Sequence, residues 1–127
     1  MITIDSLDNL KARLNGTLSP DKIYVVEGTV PVLISVPHAV PHMRDGRMKS
    51  DEVNTDMIAM AVQDNTGCHL FVNAGVEGDP NYDDPNVYKD RLLEYVQTHG
   101  VAMVIDLHGA SQDREFDFEL GTGKGNN

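Results

Sequence analysis

The sequence predicts an α/β domain whose sheet is largely parallel or mixed. Three observations predict it. Strand-like runs rich in β-branched residues, "KIYVVEG" (22–28), "VPVLISVP" (30–37), "CHLFVNA" (68–74) and "VAMVIDLHG" (101–109), are interleaved with stretches of helical periodicity. Gly67 and Gly100 stand just past the two longer helical stretches, where a left-handed cap is needed. "VAMVIDLHG" is apolar almost throughout, which implies a strand buried on both faces, as in a parallel sheet.

Each element has its own warrant. Residues 5–15 form a short amphipathic helix in which Leu7, Leu10 and Leu14 share a face, and Gly16 ends it. "NGTLSPD" is a turn, and Gly28-Thr29 suits a hairpin turn between the strands 22–28 and 30–37. Residues 51–65 form a helix capped by Ser50 or Asp51, with Val53, Met57, Met60 and Ala61 on its apolar face. "GVEGDPNYDDPN" is an acidic loop rich in turn residues. Residues 86–99 form a helix that carries Val87, Leu92, Leu93 and Val96. "REFDFELGT" (114–122) alternates polar and apolar residues and predicts a half-buried strand.

Composition narrows the function. With 127 residues, 40% hydrophobic and 24% charged, the chain suits one soluble globular domain. Twenty acids against ten bases give a net charge of −10, which argues against nucleic acid or an anionic membrane as partner. No apolar run reaches the roughly 20 residues of a membrane span, and the N-terminus lacks the pattern of a signal peptide. The single cysteine, Cys68, fits a reducing, cytoplasmic setting. A short sheet would leave an exposed edge strand, which would allow homo-oligomers.

Parallel strands with right-handed crossovers place the loops after 30–37, 68–74 and 101–107 at one edge of the sheet, where α/β proteins bind ligands. His38 and His108 follow two of these strands, and the acidic loop 75–85 follows the third. Two histidines with one acid, Asp51 or Glu52, make a ligand set for catalytic zinc with one position left over. Taken singly, His108 also reads as a satisfied histidine at a strand end and Asp51 as a helix cap. Their convergence on one edge favours a metal. Asp106 lies two residues before His108, on the same side of the strand, and is placed to orient an imidazole. His42 lies in a Pro-flanked loop and reads as a loop or substrate-side residue. His69 lies within a strand, and His99 suits the end of its helix without a catalytic role. Arg44 and Arg114 are candidates to grip a small anionic substrate with paired hydrogen bonds, and Asn81 and Asp83 to add polar groups. For each arginine, a surface ion pair has equal weight.

"SVPHAVPHMRDGRMKSDE", "GDPNYDDPNVYKDRL" and "VIDLHGASQDREFDFELGTGKGNN" together resemble the N-formylglutamate amidohydrolase-like family. The resemblance covers residues 22–127. It implies a three-layer, carboxypeptidase-like α/β/α fold and zinc held by His38, Glu52 and His108. Adjacent residues at a helix start point in different directions, so Asp51 is then expected to cap the helix and support the site from behind its ligands. It also implies an N-acyl amino acid or a related small amide as substrate. Members of the family are longer, so the resemblance implies that residues 1–127 form a single domain matching an N-terminal half. The glutamate that activates water in such hydrolases lies late in the chain and has no counterpart here. Glu77 and Glu119 are the candidates in its place. The competing expectation is a non-catalytic module that binds a metal or a small acid.

Overall fold

The computed structural model describes residues 5–115 and 118–121. In chain order they form α1 (Leu7–Arg13), β1 (Thr17–Leu18), β2 (Ile23–Val26), β3 (Val32–Val36), β4 (His42–Arg44), β5 (Arg47–Lys49), α2 (Thr55–Thr66), β6 (His69–Asn73), α3 (Val87–His99) and β7 (Met103–Asp106). Five strands make one mixed sheet in the order β1-β2-β6-β3-β7, and β4 and β5 pair as a separate antiparallel hairpin. β6, β3 and β7 run parallel, whereas β2 lies antiparallel to β6.

Alternation of side chains splits the core between the two faces. Val26, Ile34, Val36, Leu70 and Val72 meet Leu10 of α1, Leu14 just after it, and Ala59, Met60 and Ala61 of α2 on one face. On the other, Ile23, Leu33 and Phe71 pack with Tyr88, Leu92, Tyr95 and Val96 of α3. Helices therefore cover both faces of the sheet, as the sequence predicts for an α/β domain. The parallel β3, β6 and β7 send the segments that follow them to a common edge.

The structure corrects several expectations. Strands 22–28 and 30–37 do not form a hairpin, because β6 lies between β2 and β3. The link between them crosses the start of β6 instead. Gly28 N–H donates to His69 Nδ1 (3.0 Å) and Thr29 N–H to Gly67 O (2.8 Å). A Cβ on Gly28 would collide with the backbone of Gly67 and Cys68, so this crossing requires glycine. The first helix is capped by Ser6 and closes at Leu14, ahead of Gly16.

α2 starts at Thr55, not at residue 51, and its N-cap is Asn54, in a left-handed conformation (φ 66°). Asp51 is exposed and is not the cap. The cause is local. Glu52 N–H donates to His38 O (2.9 Å), and Thr55 Oγ1 donates to Glu52 O (2.8 Å), so the chain is held out of the helix until residue 55. β7 is not buried on both faces. Among the described residues it is an edge strand, with Met103, Val104 and Ile105 exposed at 56%, 41% and 41%. The strand expected at 114–122 is absent over the described residues 114, 115 and 118–121. Residues 116, 117 and 122 lie outside the description. Among the described residues, no helix is long and apolar enough to cross a membrane.

Candidate metal centre

The site is assembled from four segments at the carboxyl edge of the parallel strands. Pro37 and His38 follow β3. Asn73, the last residue of β6, donates its side-chain amide to Pro37 O (2.9 Å), tying the start of the His38 loop to the neighbouring strand. The chain then runs out through β4 and β5 and returns, closed by the bond from Glu52 N–H to His38 O. Glu52 thus sits beside His38 although α2 has not begun. His108 follows β7, and Gly109 N–H donates to Glu52 Oε2 (3.3 Å). A Cβ on Gly109 would press to 3.1 Å from Glu52 Cβ, so the Gly of the Asp-Leu-His-Gly run permits this approach.

Glu52 Oε1 lies 2.9 Å from His38 Nδ1 and 2.9 Å from His108 Nδ1. The two imidazoles meet edge to face, with centroids 5.1 Å apart. Their other nitrogens are also held. His38 Nε2 lies 2.8 Å from Asp79 Oδ1, and His108 Nε2 lies 2.8 Å from Asn81 Nδ2. Asp79 is wholly buried, at 0% exposure. Its carboxylate also accepts from Arg44 Nε (2.5 Å) and Asn81 N–H (2.9 Å), and its own N–H donates to Asp83 Oδ2 (2.8 Å).

These contacts set the electrostatics. Burial pushes the Asp79 carboxyl up, but His38, the Asn81 N–H and Arg44 outweigh it and hold the group well below the usual carboxylate range. Burial likewise opposes ionisation of Glu52, and hydrogen bonds from His108 and His38 bring it below its ordinary value. The bond to Glu52 raises His108, against some opposition from burial. Among the described residues, every buried polar side-chain atom has a partner.

Sequence-based candidates fall into groups. His38, Glu52 and His108 converge as a set that can hold a metal ion. Asn81 reaches the site through His108. Arg44 reaches it through Asp79, and its guanidinium lies over Tyr82, 5.3 Å from the ring centroid. Asp106 pairs with Ser35 in the sheet and acts on His108 only through its charge, since Glu52, Asp79 and Asn81 take the imidazole nitrogens. Arg114 is exposed in the turn after His108, its N–H donating to Ser111 O (3.1 Å). Glu77 and Glu119 are exposed.

His42 does not sit in an unsupported loop. It begins β4, is 5% exposed, and stacks on His38 with centroids 4.0 Å apart and planes within 7°. Asp79 is the residue of the candidate site that sequence reasoning missed. The strand-end rule placed its loop at this edge, but nothing in "GVEGDPNYDD" sets it apart from Glu77, Asp83 and Asp84. His38, His42 and Asp79 form a second group of potential ligands. Both rings face this carboxylate, with His42 Nε2 3.5 Å from Asp79 Oδ2, but a cation there would have to displace Arg44 from Asp79. The Glu52 set suits a cation better.

Comparison with protein-family models, curated proteins and solved structures finds no match for this chain.

Proposed function

We propose that this chain holds one divalent metal ion, zinc, through His38 Nδ1, Glu52 and His108 Nδ1, and that the site serves hydrolysis of the amide bond of an N-acyl amino acid or a similar small amide. The observation that supports it is the convergence of both Nδ1 atoms on Glu52 while both Nε2 atoms are held from behind. Two imidazoles and a carboxylate are the donors of catalytic zinc sites. Ligand atoms about 2.0–2.1 Å from a tetrahedral ion lie about 3.3 Å apart, and Glu52 Oε1 lies 2.9 Å from each Nδ1. When bound, the ion would supply Lewis-acid polarisation of a carbonyl and acidification of a water.

The chain's own residues do the rest. Asp79 fixes the ring of His38 and keeps its second nitrogen protonated. Among the described residues, only Nε of Arg44 is engaged by a carboxylate, so its terminal nitrogens are available to a substrate carboxylate. The resemblance to N-formylglutamate amidohydrolases supports the choice of substrate. A second reading, a metal- or small-acid-binding module without catalysis, is favoured by one observation. The two carboxylates that touch the imidazoles, Glu52 and Asp79, are both committed to holding them, and Glu77 and Glu119 stand exposed. Zinc titration of the 127-residue chain, followed by assay with N-formyl and N-acetyl amino acids, separates the readings. One zinc per chain with turnover supports the first, and one zinc without turnover supports the second. No zinc in the wild type, or stoichiometric zinc in His108→Ala, overturns the first reading and the metal-binding form of the second.

A further inference from the structure

We infer that Asn81 is the positioning residue for His108, acting through the side-chain amide on Nε2, and that Asp79 sets both imidazoles of the site, His38 directly and His108 through Asn81. The inference rests on the metal reading above and deepens it.

His38 is confined on every side: it is buried, stacked on His42, and bonded at both nitrogens. His108 has no such enclosure. It follows an edge strand, and a third of its side chain is exposed. Among the described residues, only Glu52 and Asn81 hold its ring nitrogens. Without the second of these holds the ring can turn about its Cβ–Cγ bond and present Nε2 in place of Nδ1. The Asn81 amide, 2.8 Å from Nε2, blocks that turn.

Asn81 is itself placed by Asp79, because its N–H donates to Oδ1, the same oxygen that receives His38 Nε2. One buried carboxylate oxygen therefore fixes both rings. The backbone bond does not depend on the side chain at 81, and that side chain is exposed, so packing does not call for asparagine. The amide has a chemical advantage. It carries both a donor and an acceptor on one rotatable group, so it can meet Nε2 with Nδ2–H when the proton is on Nδ1 and with Oδ1 when Nδ1 is turned to a cation. Leucine of similar size can do neither, and aspartate can only accept.

The test is Zn2+ affinity and the Co2+ absorption spectrum of the wild type, Asn81→Leu and Asn81→Asp. Circular dichroism checks that each is folded. Asn81→Leu should weaken Zn2+ binding about 10–100-fold and change the Co2+ bands. Asn81→Asp, which keeps an acceptor for the Nε2 proton, should restore affinity to the wild-type value or better and recover the bands. Wild-type binding with unchanged affinity and spectrum in Asn81→Leu overturns this inference and leaves the metal site standing. The same holds if both variants lose affinity equally, since that would show only loop damage. A wild-type chain that takes up neither ion overturns the metal reading and this inference together.

Discussion

At the scale of single residues, the histidines of this protein are separated by what their nitrogens face. At the candidate metal site, each nitrogen of His38 faces a carboxylate oxygen. His69, at the start of β6 and away from that site, does the reverse. Its Nδ1 accepts from Gly28 N–H (3.0 Å) and from the Tyr95 hydroxyl (2.8 Å), so it must be without a proton there. Burial keeps Tyr95 a donor by pushing its hydroxyl up to about 12. Burial first, then the neighbouring His99, lowers His69 from its ordinary 6.5, with Glu27 opposing. A group whose pKa is lowered on folding stabilises the native state above its unfolded pKa, and that stability is lost as pH falls towards the folded pKa. The metal-free protein should therefore lose thermal stability on acidification below about pH 6.5 in a way that His69→Gln does not reproduce. Parallel Tm-versus-pH curves for the two proteins would refute this.

At the scale of elements, the chain shows where local pattern decides and where it does not. Apolar periodicity marked α3, and its ends followed from local chemistry, with Asn86 accepting from Tyr88 N–H and Gly100 in a left-handed conformation (φ 63°). The start of α2 did not follow, because the bonds of Glu52 to His38 and Thr55 are tertiary or depend on the loop's return path. The β2–β3 connection is the clearest case. Gly28-Thr29 is good hairpin chemistry, yet the crossing over β6 uses the same glycine for its lack of a side chain. Gly28→Ala should destabilise the fold by roughly 1–3 kcal/mol, because the atom it meets is backbone and cannot turn aside. Urea unfolding at neutral pH measures this, and an unchanged midpoint would show that the crossing relaxes easily.

At the scale of the whole molecule, the site ties together the ends of β3 and β7, the approach to α2 and the loop after β6. An ion bound there would stabilise all four segments at once. At a free Zn2+ concentration 100 times Kd, folding should gain about 2.7 kcal/mol, seen as a raised Tm that chelation reverses. No shift in Tm at saturating Zn2+ would mean that the ion binds folded and unfolded chains alike or not at all.

Composition and period determined much of this protein. They gave its α/β class, the parallel run of β3, β6 and β7, and the meeting of His38 and His108 at one edge although seventy residues of sequence separate them. These follow from the sequence because burial pattern and crossover handedness are repeated, local constraints. Tertiary structure alone decided that β6 enters between β2 and β3, that β7 is exposed, that His42 supports His38, and that Asp79 rather than Asp106 holds the imidazole. Each of these depends on which groups are desolvated together. Asp79 differs from the other acids of its loop only in being buried against His38 and Arg44, and burial is a property of the assembled fold.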